Sequence, residues 1–121
     1  MLLLLAGCTA SDANNYLKPT DFIAYLNRAG IKNDGARPIP GDPFGASEAC
    51  AVMVDGSEIG IYKFDQSVRL MRKRLDKIKE SNCVYILGVK RPVVINGSFV
   101  LFGQEKNPKK KEIVKAFENF R

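Results

Sequence analysis

The spacing of apolar and polar positions divides the chain into short segments of contrasting period. Phe22, Ile23 and Leu26 form a stripe at helical spacing, opened by Lys18-Pro19-Thr20-Asp21 and closed by Gly30. Thr20 suits an N-cap and Asp21 the positive end of a helix dipole, while Gly30 suits the left-handed position past the C-terminus, with Ile31 packing back. A first helix is therefore predicted over Thr20–Ala29. Val68, Met71, Leu75 and Ile78 fall at i, i+3, i+7 and i+10 behind Asp65 as cap, predicting a second helix that ends near Ser81-Asn82. Ile113, Val114, Phe117 and Phe120 make the apolar face of a third, opened by Asn107 as cap and Pro108 in the first turn.

Between the helices the period shortens to that of strands. Ala51-Val52-Met53-Val54 and Ser57 to Phe64 flank Asp55-Gly56, and Val93-Val94-Ile95 and Ser98 to Phe102 flank Asn96-Gly97. Both dipeptides favour the two-residue type I′ turn, so two hairpins are predicted. Cys83 to Val89 is apolar throughout and reads as a central strand, interrupted by Lys90-Arg91-Pro92. The segments starting at Val52 and Val93 match at an offset of 41 residues, and each leads into an amphipathic helix. A ββα unit cannot cover its own apolar face, so two such units are expected to share one sheet. The expected fold is α+β, in the order α-ββ-α-ββ-α. Its four-stranded, mainly antiparallel sheet would carry the second and third helices on one side.

Residues 32–49 contain three prolines and three glycines, which predicts a loop without regular structure. Its length exceeds the roughly 12–15 residues common for such connections. Phe44 is then either the tip of a binding loop or, with Ile39, an anchor that pins a crossover to the core.

The N-terminus has a different character. Met1 and four leucines lead to Leu5-Ala6-Gly7-Cys8, followed by the polar, small-residue run Thr9 to Asn15. A large aliphatic, two small residues and a cysteine resemble the lipobox of bacterial lipoproteins. The resemblance implies cleavage before Cys8 and lipid on Cys8. Residues 1–7 would be a signal remnant, 8–16 a lipidated tether and 17–121 a single domain. The apolar run is too short to span a bilayer, which takes roughly 20 residues. Residues 17–103 also resemble small envelope lipoproteins with a helix, a Pro-containing loop and two Gly-led strands, here Asp55 to Phe64 and Asn96 to Leu101. That likeness implies a fold and a location outside the cytoplasm, with the membrane as partner, and no activity.

Charge and chemistry narrow the function classes. Residues 1–65 carry five Lys/Arg and eight Asp/Glu, residues 66–121 fourteen and five, which together make the net charge of +6. The C-terminal half is thus suited to an anionic surface or an acidic protein. Its candidate contacts are Arg69, Arg72, Lys73, Arg74 and Lys77 on the second helix and Lys109, Lys110 and Lys111 at the start of the third. With no histidine in the chain, Ser–His and Cys–His nucleophiles and imidazole metal sites are excluded. Cys50 and Cys83 lack the CxxC spacing of a structural zinc site. They are read either as a disulfide or as two buried apolar residues. Neither metal nor cofactor is expected, and Asn96-Gly97-Ser98 reads as a turn rather than a glycosylation site. The chain is expected to act by binding and not by catalysis. The alternative is a cytosolic nucleic-acid binder using the second helix, which lacks aromatics interleaved among its cations.

Overall fold

The computed structural model describes residues 14–41 and 44–121; the lipobox Leu5 to Cys8, the spacer through Ala13, and Asp42 of the long loop lie outside the described residues. The helices are α1 (Pro19–Arg28), α2 (Arg69–Ser81) and α3 (Lys110–Glu118). The strands are β1 (Arg37–Ile39), β2 (Glu48–Val54), β3 (Ser57–Lys63), β4 (Cys83–Ile86), β5 (Val89–Asn96) and β6 (Phe99–Phe102). They form one sheet in the order β1-β2-β3-β6-β5-β4, with every neighbouring pair antiparallel. The α+β class is as expected, but there are six strands rather than four.

The two extra strands come from a proline-containing edge strand and from an unexpected turn within an apolar run. Arg37-Pro38-Ile39 lies inside the segment expected to be a loop, yet it pairs with Ala51, Cys50 and Ala49 at the sheet edge, where a proline is tolerated. The run expected to be one central strand folds back on itself at Leu87-Gly88, so β4 is an edge strand and Val89 begins β5. Lys90-Arg91-Pro92 does not interrupt that strand. Pro92 pairs with Cys83 at a level β6 no longer reaches, since the last β5–β6 pair is Val93↔Phe102. Its missing N–H therefore costs no ladder bond.

α1 ends as its sequence predicts. Gly30 has φ +79, its N–H donates to Asn27 O, and Ile31 N–H donates to Leu26 O, the two bonds of a Schellman closure. Its start differs, because Pro19 takes the first helical position and Asp21 accepts from the Lys18 N–H at 2.7 Å. α2 begins later than its apolar stripe suggests. Asp65 accepts from the Ser67 N–H and hydroxyl at 3.0 and 2.6 Å, making a turn ahead of the helix, and Val68 faces outward at 45% exposure. Leu75, Ile78, Ile113, Phe117 and Phe120 are buried, as expected.

The helices take opposite faces of the sheet, contrary to expectation. α1 and α3 pack on Cys50, Val52, Val54, Ile59, Ile61 and Leu101, with Phe22 meeting Phe117 and Phe120 edge to face at 5.4 and 5.3 Å. α2 packs Leu75 and Ile78 on the other face, against Tyr62, Val93 and Val100. The reason is parity. Asp55 (φ 52) and Gly56 (φ 81) are both left-handed and form the expected turn between Val54 and Ser57. The second turn is Gly97-Ser98, between the paired residues Asn96 and Phe99. The hairpins thus superpose at 42 residues, while the sequence matches at 41. A one-residue slip sends every side chain to the other face. Val52 and Ile59 accordingly lie under α1 and α3, and their sequence counterparts Val93 and Val100 lie under α2. Asn96 is withdrawn from its turn because its Nδ2 donates to Phe117 O and Phe120 O, both at 2.7 Å, closing the end of α3.

Candidate binding surfaces

The chain enters the domain through a buried polar junction. Asn14, read as part of the tether, is 2% exposed. Its Nδ2 donates to Asn96 O at 3.0 Å and its Oδ1 accepts from the Ser98 N–H at 2.9 Å. A Cβ on Gly97 would stand 2.3 Å from that oxygen, so only glycine fits the turn that Asn14 grips. Asn15 Oδ1 accepts from the Gln66 N–H and the Ser98 hydroxyl, both at 2.8 Å. Lys63 is buried, donates to Asn15 O and Leu17 O at 2.5 and 2.6 Å, and lies over the Phe99 ring. Ser67 holds the Asp65 carboxyl below its ordinary range through its hydroxyl and its N–H, with the Asn15 amide adding to the effect. Asn14 and Asn15, expected in the tether, are therefore bonded into the fold.

That junction carries a surface the sequence reading missed. Tyr16 is 74% exposed, and Val68 and Leu70 are exposed in the turn and first helical residues that follow Gln66. Lys18, Arg69 and Arg72, near them in sequence, are exposed too, and Arg72 Nε donates to Gln66 O at 3.0 Å. The signal was present in the sequence as Val68 and Leu70 beside cations, but assigning Val68 to the core stripe hid it.

The other α2 cations border a second feature. Phe44 is half-buried, its ring 4.5 Å from Tyr62 and 5.2 Å from Phe102, so it anchors the long loop to the core and is not a free tip. Two neighbouring cavities of about 350 and 380 Å³ share Phe44, Lys77 and Ile78 and together form a trough beside α2. Lys73 and Arg74 border one end, and the other opens on Val84 and Tyr85 of β4. Arg74 donates to Gly45 O at 3.0 Å, tying the loop to the helix. α2 thus splits its cations between the junction, at Arg69 and Arg72, and the trough.

Lys109, Lys110 and Lys111 do not join them. They sit on the opposite face of the sheet and at its other end, where Asn107 donates to Val54 O at 2.9 Å beside the β2–β3 turn. The single basic surface expected from the two helices is therefore not formed. A cavity of about 460 Å³ beside Lys109 holds Lys32, Asp55 and Glu112 as well, a mixed set with no net preference. Cys50 and Cys83 are free and buried, on strands separated by β3, β6 and β5. At about 4.8 Å per strand they stand roughly 19 Å apart, far beyond disulfide reach. Burial, with Glu48 nearby, pushes the Cys50 thiol up to about 11, and Cys83 Sγ donates to Ser81 Oγ at 3.2 Å. Among the described residues no group of three or more His, Cys, Asp or Glu is placed to hold a metal, and no helix is long and apolar enough to cross a membrane.

Exposed large apolar residues also collect at the far end of the molecule: Tyr85, Val89 and, at 99% exposure, Leu87. No family model, curated protein or solved structure matches the chain.

Proposed function

We propose that this chain is an envelope lipoprotein, anchored through lipid on Cys8, that acts by binding and not by catalysis. The observation that carries the reading is the surface at the junction. Tyr16 and Lys18, next to Asn15, and Val68, Arg69, Leu70 and Arg72, just after the Gln66 that Asn15 holds, are all exposed. An apolar patch set among cations suits an anionic bilayer, where each well-placed cation contributes roughly 1 kcal/mol. One acyl chain alone gives marginal, reversible binding, so a multiply acylated Cys8 together with this patch supplies the two signals that stable anchoring requires.

Two measurements test it. Expressed from its genomic start in its native host, the protein should fractionate with membranes and carry acyl mass on Cys8, and Cys8→Ala should abolish both. An unmodified N-terminus in that host would sink the anchor. The unlipidated Cys8→Ser chain should bind phosphatidylglycerol vesicles more tightly than phosphatidylcholine vesicles, with the difference shrinking as salt rises. Arg69→Gln with Arg72→Gln should weaken that binding, and Lys109, Lys110 and Lys111 changed to Gln should leave it alone, since they lie at the other end. Binding that ignores both salt and Arg69 would exclude the patch. Tight, salt-dependent capture of duplex DNA by the same α2 residues would favour the nucleic-acid reading instead.

A further inference from the structure

β5 is longer than either of its neighbours and shares itself between them. Val93–Asn96 pair with β6 and Val89–Pro92 pair with β4, with no overlap. β4 and the first half of β5 therefore leave the sheet as a two-stranded arm. Arg91 ties it to the Gly103–Asn107 loop, donating to Glu105 Oε2 at 2.9 and 2.7 Å. A two-stranded ribbon is marginal in water unless something covers it. The tip is strained as well: Leu87 (φ 50) and Gly88 (φ 80) are both left-handed, a conformation that bulky side chains rarely adopt.

Among the described residues the outer edge of this arm pairs with no strand, and Cys83 O accepts a long hydrogen bond from the Ser81 hydroxyl at 3.4 Å. In a two-residue hairpin the pair next to the turn, Ile86↔Val89, exchanges hydrogen bonds, and so does Val84↔Arg91. Cys83 and Tyr85 then direct their N–H and C=O away from β5. β4 reads Cys-Val-Tyr-Ile, with none of the charges, prolines or bulges that protect edges. The edge at β1 is guarded by Pro38 and by Arg37, which pairs with Glu58. The cavity that ends on β4 has Lys77 and Glu80 on its wall, and the neighbouring cavity, which shares Phe44, Lys77 and Ile78 with it, adds Lys73 and Arg74.

We infer that β4 is the docking edge for an extended acidic segment of a partner protein, which adds to the sheet as a seventh strand. Its backbone pairs with Cys83 and Tyr85, an apolar side chain enters the trough, and alternate carboxylates meet Lys73, Arg74 and Lys77. Charge chooses this occupant. A second copy paired β4 to β4 would set the two rows of cations against each other. The arm also lies roughly 13–23 Å along β5 from Asn96, which Asn14 holds, away from a bilayer reached through Cys8. The inference deepens the binding half of the proposed function and does not need the lipid, so the two fail separately.

The experiment uses the unlipidated Cys8→Ser chain, 15N-labelled and titrated with a ten-residue peptide of alternating Val and Glu, with a Val/Lys peptide as control. The acidic peptide should shift the amides of Cys83 to Val89, protect the Tyr85 amide from exchange, and bind more weakly as salt rises. Lys73→Glu with Lys77→Glu should weaken it about tenfold or more. Tyr85→Pro removes an outward N–H without touching the β4–β5 ladder, so it should abolish binding while amide shifts elsewhere stay put. Equal response to both peptides, none at millimolar acidic peptide, or binding untouched by Tyr85→Pro overturns the proposal. So does protection of the Tyr85 amide that rises with protein concentration alone, which would make the occupant a second copy, or that needs phosphatidylglycerol vesicles, which would make it a membrane.

Discussion

The two ends of the sheet are built on opposite terms. At the end where Asn14 enters, four phenylalanines (Phe22, Phe99, Phe117 and Phe120) pack in edge-to-face contacts. Asn14, Asn15, Lys63, Gln66, Asn96 and Ser98 close the polar groups around them. At the other end the β4–β5 arm runs past β6 with Tyr85, Leu87 and Val89 in solvent. The first arrangement spends sequence on stability, because each buried polar group needs a partner placed to meet it. The second leaves apolar surface and backbone edge unspent, which is what recognition requires. The contrast teaches that an exposed apolar residue is informative in company: three on one arm carry meaning that one would not.

The comparison breaks most severely at the packed end. Phe117→Ala removes a ring wedged between α1 and the sheet and should cost about 3–5 kcal/mol in chemical denaturation, enough to unfold a marginal domain. The corresponding truncation at the arm, Leu87→Ala, should leave the unfolding midpoint nearly unchanged. If both cost the same, the arm is packed against something and the contrast is false. Next in size is Asn14→Ala. It leaves the Ser98 N–H and Asn96 O without their partner in a buried setting, a loss of about 1–3 kcal/mol. A chain that tolerates Asn14→Ala would return Asn14 to the tether.

How far these ends could be read in advance depended on the range of the interactions that make them. α1 and its Gly30-Ile31 closure, the Asp55-Gly56 turn, and the buried faces at Leu75, Ile78, Ile113 and Phe117 depend on neighbours a few residues away, and periodicity or turn chemistry finds them. Asn14 meets partners 82 and 84 residues distant, which no local pattern announces. Asn96-Gly97 has the stronger local turn signal, but Asn96 is claimed by α3, and that one-residue shift decides which face each helix covers. Leu87-Gly88 was missed for the opposite reason: leucine is disfavoured at positive φ, so the run from Cys83 to Val89 looked unbroken. The basic residues of α2 and α3 were all legible as a charge excess. Their separation onto two faces followed from parity and lay outside what composition can report.

The strain at the arm gives a prediction of the opposite sign. Leu87→Asn places an Asn-Gly pair in a turn whose two residues are left-handed, and removes an exposed leucine at no packing cost. It should stabilise the domain by about 1 kcal/mol and slow hydrogen exchange across β4. If Leu87 is kept for recognition, the more stable variant should bind an acidic partner no better, or worse.

The smallest effect concerns how the arm is held. Glu105 is pushed up by burial, but hydrogen bonds from Arg91 and from a backbone N–H, with the charges of Arg91 and Lys106, outweigh this and hold its carboxyl below its ordinary range. A carboxyl depressed in the folded state stabilises fully above its unfolded value, about 4.3 for glutamate, and the contribution is lost as pH falls through the lower folded value. Arg91 lies on the arm and Glu105 on the loop beside it, so the loss is local. With intrinsic rates corrected for pH, exchange at Val84, Ile86 and Val89 should accelerate below about pH 4 while the β2–β3 hairpin stays protected. Glu105→Gln should remove that pH dependence and leave the arm at its faster rate throughout. Uniform acceleration of both hairpins would mean that Glu105 acts on the whole fold, and that the arm is not the separate, weakly held element its pairing describes.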